Sequence, residues 1–470
     1  MATGSMVHTD QLPGSNPSSM VRPRYFSIAS TMLLALLVYA NTSIAFNKMG
    51  LNAQLMVDVP LIGLWFVLAG IRLHSAVFAA VALAPATIWG VGFFELPGMA
   101  LTLADVFTVI AVGLCLATPQ RLQHIKYNKL IWLLFAVCTA SVVVSQTPVA
   151  NLGQLIRLGL SVGLISVILS SRTGNLNKAV FYGMILWPII TMATLPGIGG
   201  LWRFISFDNM AALNAAETGD VLLGSALVVK NLFFLLPLLL LVRINKVVFV
   251  TIMLWLTVLL VFSRSRSLVI GVGAASLAYC LFTNTGKPKI SKFLLLVFLG
   301  AGLGYGVSSQ DFFNFSLTEG SKAASSSVRS AKMWRAWDTF TSNPVLGIGY
   351  GAAGVIDTKR VSTATSGADV HFFDVITDVK ASAEFAPLQI LAETGLAGGV
   401  VSVLMLIYSA LRSVTLLKNP KKPIVLKLTL LCAIAVFIAA LIGTNSFGEF
   451  VFWLAMPLIL DGIGECPEFS

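Results

Sequence analysis

From Val247 to Phe282 the chain reads VVFVTIMLWLTVLLVFSRSRSLVIGVGAASLAYCLF, and this stretch decides the fold. About 20 apolar residues in a helix cross the hydrocarbon of a bilayer, so the run is too long for one crossing. Its flanks are basic, with Arg243 and Lys246 before it and Lys287 and Lys289 after it. It therefore folds back as a helical hairpin turning near SRSRS, with both flanks on one side of the membrane. Arg264 and Arg266 then sit at or just below the opposite surface. Charged groups are costly in hydrocarbon, and at a hairpin tip that cost is reduced. Two readings of the arginines stay open: they snorkel to lipid headgroups, or they belong to a site.

The rest of the chain repeats this pattern. Of 470 residues, 57% are hydrophobic and 11% charged, and the mean hydropathy is +0.87; a soluble globular protein carries about 25% charged residues. Apolar runs of spanning length recur at approximately 25–46, 55–71, 73–94, 97–117, 129–146, 153–170, 179–196, 221–242, 246–263, 266–283, 291–308, 395–417, 424–443 and 446–463. The expected fold is an all-α polytopic membrane protein of about 12 to 14 transmembrane helices, with one large outside loop containing short helices. Residues 1–24, polar and rich in Ser and Pro, read as a disordered cytoplasmic N-terminus. A transmembrane bundle is expected over 25–307, the large loop over 308–394, further spans over 395–463 and a cytoplasmic tail over 464–470.

Basic residues orient the spans, because cytoplasmic connections hold the excess of Lys and Arg. Alternate connections carry Arg72; Arg121, Lys126 and Lys129; Arg172 and Lys178; Arg243 and Lys246; Lys287, Lys289 and Lys292; and Arg412, Lys418, Lys421 and Lys422. The opposite short connections carry Lys48, Arg157 and Arg203. That parity puts the long loop and SRSRS outside. It also accounts for the net charge of +11 without nucleic acid. Four of the five cysteines lie in apolar runs with no paired spacing, so neither a metal site nor a disulfide frame is expected.

Further cations fall on the outside face: Arg157 after NLGQLI, Arg203 in GGLWRFISFDN, and Lys230 in the eighth apolar run. In the large loop, Arg329, Lys332 and Arg335 are spaced by three and share one helical face, while Trp334, Trp337 and Phe340 form another. This pattern fits a helix on the membrane surface, aromatic side in the interface; packing within the loop is the alternative. NPVLGIGYG follows, a turn at Asn343-Pro344 and then Gly347, Gly349 and Gly351, which permit close backbone approach. It lacks the Gly-Lys-Ser/Thr ending of a nucleotide loop. AEFAPLQILAETGLAGG brings Glu384, Gln389 and Glu393, and DVHFFDV brings His371. Glu384 and His371 are candidate proton acceptors for transfer chemistry, and each is as readily a structural residue. Glu393 reads as an ordinary polar residue on a helix side.

At these segments the chain resembles the O-antigen ligase and polysaccharide polymerase superfamily of bacterial inner membranes. The likeness rests on Ser265-Arg266 between two spans, on an Arg and Trp helix followed by NPxLGxGxG (Arg329, Trp334, Asn343 to Gly351), and on LQxLAETGLxG (Leu388 to Gly398). It covers the second half of the chain better than the first. It implies glycans carried on undecaprenyl pyrophosphate and transferred at the periplasmic face without cofactor, nucleotide or metal; direct displacement by an acceptor glycan would invert the anomeric configuration. Arg264, Arg266, Arg329, Arg203 and Arg157 would bind the pyrophosphate, because guanidinium forks match phosphate oxygens. Gly347, Gly349, Gly351 and Gln389 would position the loop, and Glu384 or His371 would act as base. Many ligases of this superfamily have a histidine in HNxxLQ where this chain has Glu384, which favours a polymerase over a ligase acting on lipid A core. A chain-length regulator or export proteins are the partners this implies. A transporter of lipid-linked glycans is the rival of a different class, although no internal repeat accompanies it.

Overall fold

A computed structural model describes residues 60, 63–65, 72–84, 94–96, 99–117, 129–145, 148–170, 175–194, 229–242, 244–262, 266–283, 333–352, 385–443 and 447–463. Helices α1 (Leu73–Ala82), α2 (Leu103–Leu116), α3 (Lys129–Val143), α4 (Pro148–Ser170), α5 (Asn175–Ile185) and α6 (Trp187–Thr194) make up the first half. The second half contributes α7 (Leu235–Leu241), α8 (Lys246–Phe262), α9 (Arg266–Phe282), a helix α10 over 333–342, α11 (Ala386–Lys418), α12 (Ile424–Gly443) and α13 (Phe447–Ile463). Among the described residues the fold is helical apart from one small antiparallel hairpin, as a polytopic membrane protein requires.

The hairpin in 247–282 is present, with α8 ending at Phe262 and α9 starting at Arg266. Three described helices are long and apolar enough to cross a membrane on their own: Asn151–Leu169, Ala386–Lys418 and Ile424–Ile442. Three boundaries differ from the sequence reading. The run 73–94 is not one helix: α1 stops at Ala82, and Phe94–Leu96 pairs with Met99–Leu101 as β1 and β2. Thr102 then caps α2, its hydroxyl accepting from the Asp105 amide while Asp105 accepts from the Thr102 amide. The run 179–196 breaks at Leu186, with Trp187 Nε1 donating to Val81 O at 2.7 Å. Finally, α11 begins at Ala386, inside the expected loop, because Pro387 and the apolar residues after it start a helix well before Gly395.

Helix α11 is the axis of the arrangement, packing against α3, α9, α12 and α13. Helix α4 packs against α2, α3 and α13. Along α9 and α12 the backbones come very close, and a Cβ on Gly271 would overlap the carbonyl of Ala435. Small residues permit such approach between apolar helices, where packing rather than the hydrophobic effect joins them. Leu396, Val400, Val403, Ile407 and Leu411 face outward along α11, as a lipid-facing stripe would.

Candidate active site at one end of the bundle

Two ends of the bundle can be told apart by contacts. Lys418 Nζ lies 5.7 Å from the Phe282 ring, so α9 and α11 end together and run parallel. Lys422 pairs with Asp461 at 3.0 Å at the same end. Leu130 and Ile131, at the start of α3, line a narrow apolar crevice there with Tyr408 and Leu458. The starts of α9 and α11 and the finish of α3 therefore lie at the opposite end, away from the lysines. That end holds the polar network.

Its centre is Glu393, 2% exposed. Glu393 Oε2 accepts from the Gly351 amide at 3.0 Å, and Oε1 accepts from Gln389 Nε2 at 3.0 Å. Its backbone carbonyl accepts from Ser141 Oγ at 2.6 Å and from the Gly349 amide at 3.1 Å. One residue thus ties α3, α11 and the loop 344–352 together. Helix α11 breaks two positions later, where Gly395 takes φ 62° and ψ −162°. The break frees amides and carbonyls of the helix, and the loop takes them up: Ile348 N donates to Ala392 O, Leu396 N to Pro344 O and Ala397 N to Val345 O, at 3.1, 2.8 and 3.2 Å.

The glycines of NPVLGIGYG make this clasp sterically feasible. Gly347, Gly349 and Gly351 have φ of 67°, 116° and 82°, a region that side-chain-bearing residues avoid. A Cβ at 347 would overlap the Glu393 backbone, one at 349 would overlap Ser145, and one at 351 would lie 3.0 Å from the Gln154 side chain. The close approach is to the protein's own helices. The amides of Gly347, Ile348, Gly349 and Gly351 all donate within the chain, to Asn343 O, Ala392 O, Glu393 O and Glu393 Oε2.

Helix α4 forms the other wall. Asn151, Gln154 and Arg157 recur every three residues and face inward together. Asn151 Nδ2 donates to Ser145 Oγ at 3.0 Å, and Arg157 Nη2 donates to Asp105 Oδ2 at 3.2 Å. The same Asp105 oxygen accepts from the Thr102 hydroxyl and amide, so the hairpin and the start of α2 hold the carboxylate that holds Arg157. Tyr350 is buried between these walls. Burial holds its phenol well above the usual tyrosine range, the nearby Cys138 and Glu393 push in the same direction, and Arg157 opposes them.

Among the expected site residues, Arg157, Gly347, Gly349, Gly351 and Gln389 come together here. Arg266 is the first residue of α9, heading toward the same end. Arg264, Arg203, Arg329, His371 and Glu384 lie outside the described residues. Asp105, Ser141, Asn151, Gln154 and Tyr350 were not singled out from the sequence, and Glu393 was read as an ordinary helix residue. One signal was present: the three-residue spacing of NLGQLIR marks a polar stripe on an apolar helix. Next to the clasp, α10 buries Ala336 against Ala392 and leaves Met333, Trp334 and Trp337 exposed, as is Val345 of the loop. Val345 adjoins Leu396, the start of the exposed apolar stripe of α11.

Comparison with known proteins places a family match on the second-half segments of this region. Residues 251–403 match the family model described as O-antigen ligase, a range that takes in most of α8, then α9, α10, the clasped loop and the first half of α11. No curated protein and no solved structure matches the chain.

Proposed function

With residues 251–403 forming an O-antigen ligase family domain, a domain of membrane glycan ligase and polymerase enzymes, we propose that this chain is a polysaccharide polymerase. It transfers an oligosaccharide from undecaprenyl pyrophosphate to an acceptor glycan at the periplasmic face of the inner membrane, without metal or nucleotide. An acceptor hydroxyl attacks the anomeric carbon and loses its proton to Glu384 or, failing that, to His371. The bond from that carbon to the pyrophosphate oxygen breaks, the configuration inverts, and the lipid pyrophosphate leaves with the electron pair. Its growing charge calls for fixed cations, the role given to Arg264 and Arg266 with Arg203 and Arg329. Arg157, paired with Asp105, supplies geometry more than net charge. Trp334 and Trp337 rest in the bilayer interface, keeping the site at headgroup depth.

The observation that carries this reading is the clasp. Two segments shared with the superfamily, NPVLGIGYG and AETGLAG, lock onto each other at the end of the bundle away from the lysines, beside Arg157 and at the end where α9 begins. A transporter has no need of such a fixed loop at one face. Glu384, in the place of the ligase histidine, favours polymerase over ligase.

The test is transfer by the purified full-length protein in nanodiscs, given a lipid-linked oligosaccharide and read as a product ladder. A ladder of rising length supports polymerase, a single addition to lipid A core supports ligase, and unchanged glycan length means neither. Arg266→Ala is expected to abolish the ladder while the protein stays inserted and abundant. A normal ladder from that variant would sink the pyrophosphate assignment.

A further inference from the structure

We propose that the lysine-rich end of the bundle binds one anionic phospholipid, a hydrocarbon chain in the crevice between α3 and α13 and the phosphate against Arg412 and Lys129. Both helices pack on α11, and the crevice is lined by Leu130 and Ile131 of α3, Met405 and Tyr408 of α11, and Leu454 and Leu458 of α13. Exposed apolar side chains extend it outward: Leu404 and Leu411 sit one turn either side of Tyr408, and Leu133 one turn from Leu130. Any lipid chain covers such a surface, so the rim decides which lipid stays.

Depth and charge at the rim point to a phosphate. Trp132 and Tyr408 are 44% and 37% exposed, an aromatic pair of the kind found where hydrocarbon meets headgroups. Arg412 lies one turn beyond Tyr408, its Nη2 donating to the Tyr408 hydroxyl at 3.4 Å and its guanidinium carbon 5.6 Å from the ring centre. Lys129, the first residue of α3, is exposed beside Leu130. Asp461 is committed to Lys422, whose ammonium lies 3.0 Å from Oδ1 and donates to the Asp461 carbonyl at 2.8 Å, while Arg412 stands 3.9 Å away. Lys418 and Lys421 add further exposed cations. Among the described residues at this end the surplus is therefore positive, and Asp461 does not cancel it. A guanidinium matches two phosphate oxygens at once, and basic residues beside a groove between spanning helices select anionic headgroups.

The experiment counts lipid on the purified full-length protein by native mass spectrometry, titrating dioleoyl phosphatidylglycerol and, separately, dioleoyl phosphatidylcholine. The parent protein is expected to hold one phosphatidylglycerol about ten-fold or more tightly than phosphatidylcholine, since each basic residue near a membrane surface contributes about five-fold. Lys129→Gln/Arg412→Gln is expected to lose that preference and, with both residues exposed, to keep its fold. Arg72→Gln is expected to keep the preference, because this exposed cation precedes α1, which packs on α2 and α5 instead. sn-Glycerol 3-phosphate, a phosphate head without chains, is expected not to displace the lipid at equal concentration. Equal affinity for the two lipids in the parent overturns the proposal, as does a preference that survives Lys129→Gln/Arg412→Gln or that Arg72→Gln removes as fully. Displacement by glycerol phosphate also overturns it, since the crevice would then have no part in binding.

Discussion

The two ends of the bundle use charge in opposite ways. At the lysine-rich end, Arg412 and Lys422 share Asp461 at 3.9 and 3.0 Å, and the Arg412 and Asp461 side chains are 43% and 29% exposed. The Arg412 pair is screened and tolerant of change, whereas Lys422 is 8% exposed and held also by the Asp461 carbonyl. At the other end the Glu393 carboxylate is buried, held by the Gly351 amide of the loop and the Gln389 side chain of the broken helix. Its hydrogen bonds hold in one geometry only, so the network specifies a shape. Orientation needs only charge, whereas a site needs fixed distances.

The sharpest way to break this contrast is to add a side chain inside the clasp. Gly347→Val places atoms into the Glu393 backbone at a left-handed φ, and a loss of about 3 kcal/mol or more is expected, read as a large fall in Tm together with loss of transfer. A normal Tm would mean that the loop does not sit on α11. Next in size is the Arg157–Asp105 pair. It is only partly screened, with side chains 31% and 15% exposed, so a double-mutant cycle with Arg157→Ala and Asp105→Asn is expected to give a coupling of about 1 kcal/mol. No coupling would detach α4 from the start of α2. The smallest effect belongs to the lysine-rich end, where Arg412→Ala is expected to change stability by less than about 0.5 kcal/mol and to leave transfer intact. A loss of transfer there would place function at both ends.

Much of the fold was legible in the chain. The hairpin at 247–282 followed from its length and basic flanks, and α12 and α13 start and stop within a residue or so of their apolar runs. The errors have physical causes. Hydropathy does not separate a strand hairpin from a helix end, so Phe94–Leu101 passed for the meeting of two spans. It also does not show that a helix starts in a loop and breaks at a glycine, which is how Ala386–Gly395 came to be assigned to the loop.

The sequence by itself determined that the protein is a polytopic membrane chain and which short motifs carry the family likeness. These follow from composition, run length and spacing, all of which act locally. Only the tertiary structure decided what the motifs do to one another. The glycines of NPVLGIGYG could have faced a ligand, and Glu393 could have been an idle polar residue on a helix. Their meeting depends on a kink at Gly395 and on hydrogen bonds between residues more than forty positions apart. Hydropathy and spacing describe neighbours in sequence, and a buried network is built from partners that are neighbours only in space.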